Sequence, residues 1–158
     1  KELVSVACPT VIKGNISECK AFYGMTSHAH GVDADIQDEE DIYESCKWLK
    51  EMALNLGCVV VCSGKIDVIT DGKDVNLISN GCEMLSRITG TGCMLNVAIA
   101  TFLASYSPLL ACIKATCYYE VAAEKTKCEG PGTFHMHFMD EIYKLTSFDE
   151  SLFKIEII

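Results

Sequence analysis

The residues best spaced for chemistry are Thr89-Gly90-Thr91-Gly92-Cys93, which run straight into the apolar stretch 94–104. Two glycines ahead of a long apolar run that holds neither Gly nor Pro predict a tight turn opening a buried helix. The first N–H groups of a helix lack intrahelical partners, and the macrodipole places partial positive charge beside them. Glycines at such a start remove the side chains that would keep an anion from those donors. The expected guest is a phosphate, with Gly90, Thr91 and Gly92 as an anion hole. A cysteine in the first turn of a helix sits in the same field, which favours thiolate over thiol. The same pattern also serves as a loop that packs a helix on a sheet, and these five residues alone do not separate the two readings.

The elements that would position this turn follow from composition and periodicity. With 158 residues, 49% of them hydrophobic, the chain suits one domain with an ample core. A net charge of −9 and the absence of any Lys/Arg run argue against nucleic acid or an anionic membrane as partner. The apolar stretch 94–104 is too short to span a bilayer and contains Asn96. The chain opens Lys1-Glu2, without a secretory signal pattern and without an initiator Met, so a fragment or trimmed product is expected. None of the ten cysteines forms a Cys-x-x-Cys pair. They fall in helix and strand patterns, with Cys58 and Cys62 on one strand face and Cys112 and Cys117 on a buried helix. Reduced, structural thiols in a cytoplasmic protein are therefore expected. His135 and His137 lie two apart in a helical context, the wrong spacing for shared ligation.

In chain order, 3–7 reads as a short strand that Thr10-Val11-Ile12 continues beyond Pro9, with Gly14-Asn15 breaking it. Asn15-Ile16-Ser17-Glu18 has the form of a capping box opening a short helix through Tyr23. Residues 24–35 read as a polar loop with His28 and His30 solvated. Residues 38–56 form the clearest amphipathic helix, acidic at its start, with Ile42, Cys46, Leu49, Ala53 and Leu56 on one face and Gly57 as its stop. Residues 58–62 read as a strand buried on both faces. Residues 66–70 and 75–79 flank Asp71-Gly72-Lys73-Asp74 as a hairpin. After the glycine turn, helices are expected at Pro108–Lys125 and, beyond Gly130-Pro131-Gly132, at 134–145. About four strands make a small sheet for a doubly wound α/β domain, so the chain reads as the second half of something larger.

Six stretches together carry a family resemblance. They are Pro9-Thr10-Val11-Ile12-Lys13-Gly14-Asn15-Ile16-Ser17-Glu18, Gly31-Val32-Asp33-Ala34, Ser63-Gly64-Lys65-Ile66-Asp67 with Thr70-Asp71-Gly72, Arg87-Ile88-Thr89-Gly90-Thr91-Gly92-Cys93-Met94-Leu95, Ala122-Ala123-Glu124-Lys125, and Glu129-Gly130-Pro131-Gly132-Thr133-Phe134. In this order they resemble the hydroxyethylthiazole kinases, thiamine-salvage enzymes of the ribokinase-like superfamily, over nearly the whole chain. The most specific part is Thr89–Leu95, because most ribokinase-like kinases have Asp where Cys93 stands.

The resemblance implies an α/β ribokinase-like fold, with layered helices around a mainly parallel sheet. Residues 1–158 would be the C-terminal portion of one kinase domain. It implies transfer of the ATP γ-phosphoryl group, with Mg2+, to the alcohol of 4-methyl-5-(2-hydroxyethyl)thiazole. Cys93 matches the general base, Gly90 the thiazole contact, Ser63 and Lys13 the ATP contacts, and Glu18 an acidic residue of the Mg–phosphate network. No direct protein ligand to the metal is implied. A homotrimer acting on small molecules in the cytoplasm completes the expectation. Two departures stand out. Lys13 replaces the family's usual Arg and so lacks a bidentate fork. The family's preceding half, with its Asp-Pro-Val-Gly stretch and a substrate-contacting Met, has no counterpart in this sequence. Two other readings stay open: a kinase acting on a different small alcohol, such as the pyrimidine half of thiamine, and a non-catalytic or truncated pseudo-kinase.

Overall fold

The computed structural model describes residues 2–25, 41–144 and 149–158. His28, His30 and the Gly31-Val32-Asp33-Ala34 motif lie outside the described residues, as do positions 38–40 and 145 at the ends of two expected helices. The chain divides into two compact units, residues 1–77 with 156–158, and residues 78–155.

The first unit is built on a sheet. Its elements are α1 (Glu2–Ala7), β1 (Val11–Asn15), α2 (Ile16–Tyr23), α3 (Ile42–Leu56), β2 (Val59–Ser63), β3 (Asp67–Thr70), β4 (Val75–Ile78) and β5 (Ile155–Ile157). The strand order is β1-β2-β3-β4-β5. Strand β1 runs parallel to β2, from Val11 opposite Val59 to Asn15 opposite Ser63. Strand β2 runs antiparallel to β3, with Cys62 opposite Val68. The sheet is thus mixed rather than mainly parallel, because residues 64–66, which join β2 to β3, are too few for a parallel crossover.

Helix α3 covers this sheet for reasons written in its sequence. Asp41 caps it by accepting the Tyr43 N–H at 3.0 Å, and Gly57 ends it in the left-handed conformation at φ 64°. Its inner face, Cys46, Leu49, Met52 and Ala53, packs with Val60, Cys62, Val68 and Leu77 in one cluster. Leu49 and Met52 are fully buried, each worth ~1.5–3 kcal/mol relative to exposure. Every residue of β3 and β4 is buried, as is every residue of β2 before Ser63.

Several expectations are corrected here. Residues 3–7 lie in helix α1, not a strand. A helix closes its own hydrogen bonds, as from Cys8 N–H to Val4 carbonyl at 3.0 Å, and needs no neighbouring strand. Gly14-Asn15 does not break β1, which runs through Asn15. The tail adds a fifth strand, β5.

The second unit is helical: α4 (Thr91–Phe102), α5 (Pro108–Lys125) and α6 (Pro131–Lys144), with 3-10 turns at Glu83–Leu85 and Glu150–Leu152. Helix α5 is the central member, packed on both α4 and α6, and buries Ala111, Cys112, Ala115, Cys117 and Tyr119. Helix α6 opens at Pro131 rather than at 134, because proline suits the first helical position. Helix α4 is not the buried helix expected. Only Leu95 and Ile99 are buried, and Val97 is 68% exposed.

Candidate active site

In the second unit the glycine turn takes the expected helix-opening form. Gly90 is the N-cap of α4 at φ 99°, ψ −9°, a left-handed conformation that side-chain-bearing residues rarely adopt. It supplies no capping side chain, and a Cβ placed on it would meet nothing within 4 Å. The first-turn N–H groups are therefore left to other partners than a cap side chain, beside open space. Gly92 and Cys93 lie within the first turn, at the second and third helical positions, and both are exposed. The Thr91 hydroxyl is committed to the incoming loop, donating to the Leu85 carbonyl at 2.8 Å and the Ile88 carbonyl at 3.2 Å. Thr91 would therefore serve an anion through its backbone.

Two residues that carried no expected role make long-range bonds in this unit, one to the turn and one to the loop ahead of it. Tyr119 Oη donates to the Thr91 carbonyl at 2.9 Å. Glu124 accepts from the Gly81 N–H at 3.0 Å, the Asn80 amide at 3.3 Å and Lys154 Nζ at 2.8 Å. Asn80 in turn donates to the Leu152 carbonyl and accepts the Lys154 N–H. The sequence marked Glu124 only as part of a motif and Tyr119 only as apolar-face packing. Their partners lie 43 and 28 positions away, beyond any local pattern.

In the first unit Ser63 ends β2 opposite Asn15, at the carboxyl ends of two parallel strands where α/β sheets commonly bind ligands. The Lys13 side chain reaches it from the middle of β1. Lys13 Nζ lies 3.5 Å from Ser63 Oγ, and Ser63 Oγ donates to the Gly14 carbonyl at 3.4 Å. The capping box is present in full: Glu18 Oε2 accepts the Asn15 N–H at 2.8 Å, and Asn15 Oδ1 accepts the Glu18 N–H at 2.8 Å. Gly14 is where these groups converge. A Cβ there would sit 3.0 Å from Glu18 Cβ, 3.1 Å from Glu18 Oε2 and 3.4 Å from Cys19 Sγ. Beneath it the Cys19 and Cys62 thiols are hydrogen-bonded; that bond, with burial, pushes the Cys62 thiol well up, so it stays protonated.

A nucleotide–Mg2+ complex fits this set in kind. Mg2+ carried on phosphates needs only one or two protein carboxylates, and Glu18 has one oxygen outside the cap bond. Among the described residues no group of three or more His, Cys, Asp or Glu could cage a metal. Lys13 supplies a point charge and Ser63 a hydroxyl. Asp71 is a turn residue, as expected, and accepts the N–H groups of Lys73 and Asp74, whereas Asp67 opens strand β3 and accepts the Gly64 N–H from there. His135 and His137 lie on helix α6, and His137 is bonded to the Lys127 carbonyl. A cleft of ≈ 480 Å³ lined by Val4, Pro9, Phe22, Tyr23 and Leu56 contains none of the candidate residues. No described helix is long and apolar enough to cross a membrane.

Comparison with known proteins puts these groups in context. The sequence model of the hydroxyethylthiazole kinase family matches residues 1–148. Hydroxyethylthiazole kinase 2 of Clostridium botulinum (strain Langeland) is 39% identical over 150 residues, 92% of this chain and 57% of its own length. Hydroxyethylthiazole kinase of Pyrococcus furiosus is 38% identical over 152 residues, 94% of this chain and 56% of its own. The chain thus spans little more than half the length of these relatives. The solved hydroxyethylthiazole kinase protein of Pyrococcus horikoshii superposes with a TM-score of 0.82 at 29% identity, over 99% of this chain and 57% of that one. Pyridoxal kinase of Staphylococcus aureus, solved with pyridoxal, gives 0.59 at 20% identity over 99% of this chain and 54% of that one, a likeness of fold alone.

Proposed function

This chain belongs to the hydroxyethylthiazole kinase family, and from that premise we propose that it serves ATP-dependent phosphorylation of 4-methyl-5-(2-hydroxyethyl)thiazole in thiamine biosynthesis or salvage. The observation that carries the reading is the start of α4. A left-handed glycine opens the helix without a capping side chain of its own, and an exposed thiol stands in the first turn.

Phosphoryl transfer asks a protein chiefly to position reactants and to stabilise charge on the moving oxygens. In this reading the backbone N–H groups from Gly90 to Cys93 hold the transferring phosphoryl group, and Gly90 also lies against the thiazole. Cys93 accepts the proton of the attacking alcohol. Lys13 and Ser63 bind ATP, and Glu18 takes part in the Mg–phosphate network, its orientation held by the Asn15 cap. Bound Mg2+ would neutralise phosphate charge. In the same reading residues 1–158 are the C-terminal portion of a single ribokinase-like domain, acting in the cytoplasm within a homotrimer.

Offering the chain ATP, Mg2+ and an equimolar mixture of the thiazole alcohol and the hydroxymethylpyrimidine alcohol tests this directly. Thiazole phosphate is the expected product. Preferential phosphorylation of the pyrimidine, or no phosphorylated alcohol at all, would overturn the reading.

A further inference from the structure

We infer that Tyr119 is a positioning residue for the phosphate-binding turn, acting through the Thr91 carbonyl to fix the direction of the Gly92 N–H. The inference rests on the kinase reading above and deepens it. The Thr91 carbonyl and the Gly92 N–H belong to one peptide plane, and in a trans peptide they point opposite ways. The described chain has no cis peptide bond. A donor that holds the carbonyl therefore also aims the N–H, and Tyr119 Oη is such a donor at 2.9 Å.

The clamp itself is buried and packed. Tyr119 is 4% exposed, and its ring meets Phe138 edge-on, with centroids 4.8 Å apart and planes at 83°. Phe138 is in turn stacked on Phe134 at 5.3 Å. Burial, reinforced by the neighbouring Glu120, pushes the Tyr119 hydroxyl above its ordinary range, so it remains a donor. The turn needs a clamp of this kind. Helix ends fray, and Gly90 and Gly92 bring no side chains to resist it. Thr91 is tied on its other side by its own hydroxyl to Leu85 and Ile88. An anion hole stabilises charge only if its donors are fixed before the charge develops.

Tyr119→Phe keeps the ring and removes the hydroxyl. Tyr118→Phe is the control, since its hydroxyl donates to the Ile142 carbonyl, on α6. Measured on the full chain, Tyr119→Phe is expected to speed hydrogen exchange about tenfold at the Met94 amide, which closes the first turn on the Gly90 carbonyl at 2.9 Å. It should also lower kcat by about ten- to a hundredfold with KM for ATP nearly unchanged, and Tyr118→Phe should do neither. Exchange and kcat equal to wild type would overturn the inference while leaving the kinase reading intact. A wild-type chain without turnover would overturn the kinase reading, and the exchange comparison would still decide whether Tyr119 holds the turn. Should Tyr119→Phe fail to fold, the wild-type Tyr119 hydroxyl proton decides by NMR. Slow exchange with water and proximity to Thr91 are expected, and fast exchange would overturn the inference.

Discussion

Cys93 is the residue on which the proposed chemistry depends most. It stands exposed at the third position of α4, with the glycine cap before it. General base catalysis supplies roughly 10²–10⁴-fold, so Cys93→Ser is expected to lower kcat by at least about a hundredfold with little change in KM. Steady-state kinetics that fall only a few-fold would remove Cys93 from the role of base. The buried thiols make a different prediction. Burial pushes Cys112 up to about 12, against an ordinary thiol value of 9.0, and also raises Cys58. Between those pH values the folded chain keeps a proton that the unfolded chain has released. That stability is fully present below pH 9 and is lost as pH rises towards 12. Urea midpoints should therefore fall steeply above pH 9, and less steeply in Cys112→Ala. A midpoint that does not move with alkaline pH would contradict this. What the sequence made legible at this scale was local. The Asn15–Glu18 box spans three positions and is there in full, whereas the Tyr119–Thr91 bond depends on how α5 lies on α4 and left no trace in either segment.

Among the elements, glycines at turns separate two kinds of constraint. Gly72 connects β3 and β4 at φ 89°, and a Cβ there would come within 2.8 Å of the Leu54 backbone nitrogen and 2.9 Å of its Cα. Gly90 shares the left-handed backbone but has open space around it. Gly72→Ala should therefore destabilise the fold by more than about 2 kcal/mol, since backbone must move as well as strain. Gly90→Ala should cost only about 1–2 kcal/mol of strain, yet disturb turnover disproportionately. Equal losses of stability in the two variants, read by denaturant unfolding, would refute that distinction. Periodicity located α3 and α5 well because each is long and its apolar face repeats. Residues 3–7 defeated it, since five apolar-rich residues carry no period that separates strand from helix. In α4 apolar content was legible, but which faces other elements cover was not.

For the whole molecule, the sheet order leaves β1 and β5 as the outer strands, and all three residues of β5 are exposed. Unpaired strand edges template association, and exposed Val97, Met136 and Tyr143 add apolar surface. The chain is expected to self-associate at micromolar concentration in sedimentation experiments, and a monodisperse monomer would contradict this. The mixed sheet and the fifth strand were not readable beforehand, because strand order is fixed by pairings between distant segments. The central claim is the proposed one, that this chain serves ATP-dependent phosphorylation of the thiazole alcohol with Cys93 as base. Calorimetric titration with MgATP, with and without the thiazole alcohol, followed by assay for thiazole phosphate, tests it most directly. Saturable MgATP binding and thiazole-dependent product that vanishes in Cys93→Ser is the predicted result. A chain that neither binds MgATP nor forms product would contradict it.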